Sequence, residues 1–385
     1  MSVVSNEIVV GCRPPEEDSN AAIVVYAAPA RRNRDANPYN YLLSEALSAE
    51  GCKVHELNRK NGIFGRPDVI HIHWPQTQSK GPIGQASKRS AEYIFRLALQ
   101  RTRGTAVIWT AHNMHAHDQN NPALERLLMW CVTRLVSGVV YLNASSRSKA
   151  QATYPALRRK PHVIIPHGAY GALFDSGKDR LGARTQLGIP AKEKVISFVG
   201  DILPYKGLDK LLRAVADLEP SEASLLVAGA FKADDSYVRD IREAISRLQT
   251  SGHRVVLIER RLTNSEMVDA IKASDIVALP YRRIDNSGLA ILAIEQGARL
   301  LTTDHELFRE LRDELGHDRI VVAVENFSAN AIRAALSKTG SEAEQGVDAF
   351  IRARSWSLIA AETVAFYRRC GAEPSKSRVT RWHGG

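Results

Sequence analysis

With 385 residues the chain is longer than one hydrophobic core ordinarily grows, so two domains are expected. Its four cysteines are scattered with no C-x-x-C spacing, which argues for reduced thiols rather than a disulfide framework or zinc knuckle. The longest apolar run, 21–30, is far short of the ~20 residues that span a bilayer, and no basic segment precedes an apolar one as in a secretion signal. The formal charge of +10 gathers before Gly171, with 21 Lys+Arg against 12 Asp+Glu there and 31 against 30 beyond; without interleaved aromatics this field suits an anionic membrane or substrate better than nucleic acid.

Short β-branched runs alternate with helical periods, the pattern of parallel α/β sheets. In the first half strands are predicted at 22–27, 53–57, 68–73, 106–110, 138–142 and 162–165. After the first come Arg31, Arg32 and Arg34, a solvated loop or a contact for a lipid diphosphate. Asn37-Pro38-Tyr39 then reads as a helix start, Asn as N-cap and Pro at the first helical position, with a second reading in which Asn37 and Tyr39 line the path of an acceptor. His71 and His73 alternate along a strand and so share a face, followed by Trp74, placed to stack on a sugar or to pack under the loop. The segment 85–101 mixes Ile94, Leu97 and Leu99 with Lys88, Arg89, Arg96 and Arg101, which fits a helix resting on anionic lipid or one packed on the sheet.

The stretch TAHNMHAHD from Thr110 is the one most suited to bond chemistry. Group transfer to a hydroxyl needs a base near the attacking oxygen; Asp118 is the first choice and His112 the second, with His117 orienting the carboxylate. Asp118 as an Asx turn or N-cap before the helix 122–136 is the competing structural reading. The same histidines and Asp118 also admit a hydrolase metal site, although H-x-H-x-D-H is not met because no histidine follows Asp118. Pro166-His167-Gly168 follows the sixth strand. Segment 171–194, rich in Gly, Lys and Arg and without a clear period, reads as the inter-domain linker.

Second-half strands are predicted at 194–199, 224–228, 254–258, 275–279, 299–302 and 319–322. The first leads into Gly200 to Gly207, GDILPYKG, where Lys206 stands before a helix; a cation there is repelled by the helix dipole unless it meets an anion. Arg261 follows the third strand. The stretch 277–297 is a buried strand, a polar loop with Tyr281 and Asp285, then a helix opening at Asn286-Ser287-Gly288. Such a junction aims backbone N–H groups and the positive end of a helix at one point, a natural seat for phosphate. One diphosphate held between Lys206 and Ser287 is the donor half of a nucleotide-sugar transferase. Polar motifs at the carboxyl ends of strands from both halves imply a shared crevice.

GDILPYKG and LPYRRIDNSGLAILAIEQGA resemble the donor motifs of GT-B glycosyltransferases, which have two Rossmann-like domains facing a central cleft. HIHWPQ, TAHNMHAHD, PHGAY, LPYKG, PYRRIDNSG and the early NPY are similar in order to the xanthan-type β-mannosyltransferases of bacterial exopolysaccharide assembly. That resemblance implies an inverting transfer of mannose from GDP-mannose to a polyprenyl-diphosphate-linked oligosaccharide, without metal or other cofactor, by a cytoplasmic protein peripheral to the inner membrane. On this reading 1–172 is the acceptor and membrane-facing domain, 173–193 the linker, 194–355 the donor domain, and 356–385 a terminal helix crossing back plus a basic tail. Asp118 and His112 are the catalytic candidates. The donor contacts are His167, Gly168, Gly200, Lys206, Arg261, Tyr281, Asp285, Asn286, Ser287 and Gly288, and the acceptor contacts are Asn37, Tyr39, His73 and Trp74.

The chain departs from the large retaining GT-B family, which carries two glutamates around the second loop where this sequence has Asp285 and Ala293. Glu295 cannot simply replace the latter, because two steps along a helix turn a side chain by ~200°. Asp201 stands where that family has an arginine, and Gln76 stands where the xanthan-type group tends to have glutamate. Alternatives are a UDP-glucose-dependent or retaining enzyme, a non-catalytic nucleotide-sugar-binding subunit, and a metallohydrolase.

Overall fold

A computed structural model of the chain describes residues 22–35, 37–114, 121–324, 326–338 and 342–372. Two six-stranded sheets organise it, and every pairing within them is parallel. The first contains β1 (Val24–Ala28), β2 (Lys53–Glu56), β3 (Val69–Ile72), β4 (Ala106–Ala111), β5 (Gly138–Tyr141) and β6 (His162–Ile164), in the order β2-β1-β3-β4-β5-β6. The second contains β7 (Val195–Val199), β8 (Ser224–Ala228), β9 (Val255–Ile258), β10 (Ile276–Leu279), β11 (Arg299–Thr303) and β12 (Ile320–Ala323), in the order β12-β11-β10-β7-β8-β9.

These strands fall within two residues of the predicted bounds. The reason is burial on both faces: β3, β4, β5, β7, β8 and β10 are buried at every position, so each is a mostly apolar run, interrupted only by buried His71, Thr110, Ser197 and Ser224, rather than an alternating one. Helices cover both faces of each sheet, giving two core clusters per sheet. The architecture is α/β, with two Rossmann-like halves. The strand order reverses between β1 and β3 in the first sheet and between β7 and β10 in the second, and crevices open at such points beyond the carboxyl ends of the strands.

The terminal helix Trp356–Arg369 crosses back to the first sheet. Its Ile359, Ala360, Val364, Phe366 and Tyr367 share a core with Tyr39, Leu43 and Leu47 of helix Tyr39–Ala49. Tyr367 also reaches His71, whose Nδ1 lies 2.6 Å from the phenol oxygen while Nε2 lies 2.7 Å from Thr110.

The segment expected as a linker is instead folded into the second half. It contains helix Arg180–Gln186, and Ala183 and Ile189 belong to the core on one face of the second sheet. Arg184 is buried because its guanidinium donates to the carbonyls of Ala273, Ala191 and Glu193 and to the Asp275 carboxylate at 2.9 Å. An arginine used in this way leaves no apolar period to read.

Candidate active site

The loops after β7 and β10 are packed flush. Gly207 begins helix Leu208–Ala216 in a left-handed conformation, φ 73°, and a Cβ there would fall 2.1 Å from the carbonyl oxygen of Pro280. Arg282 N–H donates to Tyr205 O at 2.7 Å, and the Arg282 guanidinium is held by both oxygens of Asp209, at 2.8 and 2.6 Å. The resulting cavity of about 430 Å³ opens between the two halves. Asp35, Asn37, Pro38, His167 and Tyr170 line it from one side, and Gly200, Lys206, Lys232, Arg261, Ser287 and Gly288 from the other.

Two cations and a helix end meet there. Lys206 is half-buried and has no ion-pair partner among the described residues; burial, helped by nearby Lys232 and opposed by Asp201, lowers its pKa from 10.5 to about 8. Lys232, from the loop after β8, donates to Asp201 at 2.8 Å. Ser287 caps helix Gly288–Glu295 by accepting the Ala290 N–H at 3.2 Å, while the N–H groups of Gly288 and Leu289 have no acceptor among the described residues. Backbone donors at a helix N-terminus beside two ammonium groups suit a diphosphate.

The first half supplies a neutral imidazole. His167 Nδ1 lies 2.9 Å from Gly168 O, and a carbonyl only accepts, so Nδ1 carries the proton and Nε2 keeps its lone pair. Burial lowers the His167 pKa to about 4, so the ring is uncharged near neutrality. Gly288 is required at its position, because a Cβ would lie 2.1 Å from the Tyr170 hydroxyl and 3.5 Å from His167 Nε2. Glu295, about two turns along the same face of the helix, accepts the N–H groups of Tyr170 at 2.8 Å and Gly171 at 2.7 Å and so fixes that approach.

Residues 179–349 match the family described as "Glycosyl transferases group 1". The protein carries a group 1 glycosyltransferase domain on a GT-B fold. The chain is 24% identical over 339 residues to the GDP-mannose:glycolipid 4-beta-D-mannosyltransferase of Xanthomonas campestris pv. campestris, covering 88% of this chain and 89% of that one. It is 30% identical over 282 residues to the D-inositol 3-phosphate glycosyltransferase of Corynebacterium aurimucosum, covering 68% of this chain and 61% of that one. Among solved structures it is similar to a sucrose-phosphate synthase from Thermosynechococcus elongatus, with TM-score 0.67, 15% identity and coverage of 90% and 98%. The Anabaena HepE complex with UDP and glucose gives TM-score 0.65, 16% identity and coverage of 89% and 99%.

Against this glycosyltransferase frame the expected site residues divide. His167, Gly200, Lys206, Arg261, Tyr281, Asn286, Ser287, Gly288 and Asn37 all line the cavity. Asp118, together with His115 and His117, lies outside the described residues. Asn37 differs from its expected role as N-cap: the helix starts at Tyr39 with Pro38 in the cap position, and the Asn37 side chain accepts the Tyr39 N–H at 3.1 Å.

The other expected contacts are set back from the cavity. Tyr39 is buried at the centre of an aromatic cluster, edge-on to His73, His112, His167 and Trp356. His73 and His112 are buried with Nδ1 of one 3.1 Å from Nε2 of the other, and burial holds both pKa values well below the usual histidine range. Trp74 is half-buried and stacks on His112 with centroids 4.5 Å apart. Gly168 is covered by Trp356, whose ring lies 2.5 Å from where a Cβ would sit.

Asp285 faces the first half rather than the cavity. It accepts the Met114 N–H at 3.1 Å and lies 3.5 Å from Lys149 Nζ. Asn286 next to it donates to His112 O and accepts from Asn143 at 2.7 Å. Sequence reasoning missed Asp35, Tyr170 and Lys232. For Lys232 a signal existed, because an aspartate replacing the expected arginine at Asp201 leaves a vacancy that a lysine from the neighbouring loop fills.

Proposed function

We propose that this glycosyltransferase moves mannose from GDP-mannose, with inversion, to a polyprenyl-diphosphate-linked oligosaccharide in exopolysaccharide synthesis. The observation that carries the reading is the convergence of Lys206, Lys232 and the open N-terminus of helix Gly288–Glu295 on one inter-domain cavity. The Xanthomonas relative supports the choice of donor and of a glycolipid acceptor. On this proposal Asp118 takes the proton of the acceptor hydroxyl as its oxygen attacks the anomeric carbon. The bond from that carbon to the β-phosphate oxygen breaks, and the electron pair leaves with the diphosphate. Lys206, Lys232 and the amides of Gly288 and Leu289 then meet the charge that develops, a type of contact worth ~3 to 4 kcal/mol when aimed at the transition state.

His167 Nε2 accepts a hydroxyl of the donor sugar, and His112 supports the sugar side from beneath through Trp74 and Asn286. Because these cations occupy the metal's usual place beside a leaving diphosphate, turnover is expected to survive chelation. The protein acts at the cytoplasmic face of the inner membrane, where such acceptors are reached.

Calorimetric titration with a panel of GDP- and UDP-sugars tests the donor, with GDP-mannose expected to bind tightest; a UDP-glucose preference would favour the runner-up reading, which the UDP and glucose in the HepE complex support. Transfer to a lipid-linked acceptor, with the anomer read by NMR, separates inverting from retaining chemistry. Donor binding without transfer to any acceptor would indicate a non-catalytic subunit. Asp118→Asn is expected to abolish turnover while leaving donor affinity within a few-fold, and full activity would remove Asp118 from its role.

A further inference from the structure

Tyr170, the last residue of the PHGAY motif, stands on the loop after β6 and lines the inter-domain cavity. Its ring has a packing role: the centroids of Phe174 and His167 lie 4.7 and 5.6 Å from its own, and it belongs to the core on one face of the second sheet. Phenylalanine would serve that packing equally well. The hydroxyl is another matter, because Tyr170 is only 8% exposed and its oxygen has no hydrogen-bond partner among the described residues. A buried hydroxyl ordinarily has one.

The oxygen faces a helix end. It lies 2.1 Å from where a Cβ on Gly288 would fall, and His167 Nε2 lies 3.5 Å from the same point, so two polar atoms of one loop flank the first residue of helix Gly288–Glu295. They differ in what they can bond. His167 carries its proton on Nδ1, so Nε2 offers a lone pair, which suits a sugar hydroxyl and repels an ionised phosphate oxygen. The phenol can donate. Burial, with Glu295 adding to it, raises the Tyr170 pKa, so that proton is kept through neutral and mildly alkaline pH. An ionised phosphate oxygen only accepts, and the N–H groups of Gly288 and Leu289, which have no acceptor among the described residues, lie beside the phenol as further donors for it.

The loop holds that hydroxyl in place. Ala169 N–H donates to Arg354 O at 3.0 Å, and Ala169 O accepts from Trp356 Nε1 at 2.5 Å. Glu295 then takes the N–H groups of Tyr170 and Gly171, one with each carboxylate oxygen. One helix therefore presents the phosphate seat at its first turn and anchors the Tyr170 backbone at its last. Such support fixes a donor before its ligand arrives.

We propose that Tyr170 is a further donor-site residue, its O–H donating to the sugar-linked phosphate beside Gly288, and that Glu295 is its positioning residue. The assignment rests on the diphosphate reading of this cavity. It divides the first-half loop between the two ends of one bond, with His167 on the sugar and Tyr170 on the phosphate.

The test is calorimetric titration of the full chain with GDP, UDP, GMP and UMP, and with GDP-mannose and UDP-glucose. Tyr170→Phe removes one oxygen and keeps the ring. GDP and UDP should bind this variant ~10-fold more weakly, the effect of losing one hydrogen bond to a charged group. GMP and UMP lack the second phosphate, so they should bind as they do to wild type and show that the variant is folded. Glu295→Gln should also weaken GDP and UDP, yet add nothing in the Tyr170→Phe background, since a residue acting through the phenol has no effect once the phenol is gone. Additive losses would overturn the positioning role. Wild-type affinity of Tyr170→Phe for GDP and UDP, or an equal loss for GMP and UMP, would overturn the proposal. So would a loss confined to the nucleotide-sugars, which would put the hydroxyl on the sugar. Wild-type protein that binds GDP and UDP no better than GMP and UMP would instead strike the diphosphate reading itself, and this assignment with it.

Discussion

Lys206→Met separates the two demands placed on the cavity lysine. The ammonium sits where burial lowers its pKa from 10.5 to about 8, so the folded protein holds the proton less well than the unfolded chain does. The sign follows from proton counts. Below pH 8 both states are charged and the folded state bears the full penalty; between pH 8 and 10.5 the unfolded chain alone keeps the proton, and the penalty fades; above 10.5 it is gone. At 1.36 kcal/mol per pKa unit the penalty at neutral pH is ~3 kcal/mol. Methionine keeps a similar stem without the charge, so the variant should be more stable than wild type at pH 7 by ~1 to 3 kcal/mol, with the gain shrinking as pH rises past 8. In the same variant the affinity for GDP or UDP should fall by ~10- to 100-fold, because a charge-assisted contact worth ~1.5 to 3 kcal/mol is lost. Urea unfolding at pH 7 and pH 10 measures the first, and calorimetry the second. A variant no more stable than wild type at pH 7 would refute the desolvation argument, and one that binds both nucleotides normally would refute the diphosphate clamp.

The same lysine predicts the pH dependence of binding. Affinity for GDP or UDP should be level near pH 7 and weaken with rising pH once Lys206 loses its proton, from about pH 8 upward; a flat profile to pH 10 in calorimetry would show that Lys206 does not meet the diphosphate. Lys232→Ala should weaken nucleotide binding ~10-fold, by removing one charged contact, and should leave Asp201 to act on Lys206 alone. Wild-type affinity in a folded Lys232→Ala protein would exclude it from the clamp. Asp285→Ala should lower kcat with little change in nucleotide affinity, because Asp285 binds Met114 and Lys149 rather than facing the cavity, and equal loss in both quantities would contradict that placement.

Positions of the central strands were readable because double-sided burial writes them as short, mostly apolar runs, and the cavity-lining loops after β7 and β10 were readable because they follow such runs directly. What escaped was whatever depends on a partner far away in sequence. Arg184 looks like part of a polar linker until the carbonyls of Ala191, Glu193 and Ala273 are brought around it. Asp285 reads as a donor contact in its own loop, yet its hydrogen-bond partner Met114 belongs to the other half of the chain. His73 and Tyr39 have the residue types of a sugar subsite, and only the arrival of Trp356 and Tyr367 from the terminal helix shows how deeply that corner is packed.

The loop after β10 joins the two halves of the proposed chemistry in one short stretch. At its far end Ser287 and Gly288 present the helix terminus to the cavity, and at its near end Asp285 and Asn286 bind Met114, His112, Asn143 and Lys149 of the first half. Met114 is the last described residue before the stretch that carries Asp118. On the proposed chemistry a diphosphate seated on Gly288 would restrain the same loop that holds Met114, through hydrogen bonds rather than through apolar contact, which tolerates sliding. Glu310 reinforces the join by accepting the N–H groups of Ala144 at 3.2 Å and Ser145 at 2.7 Å, at the start of helix Ala144–Thr153. Since transfer requires the base, the acceptor oxygen and the anomeric carbon to be aligned within a fraction of an ångström, a rigid link between leaving-group site and base-bearing segment is what an inter-domain cleft needs to act as one site.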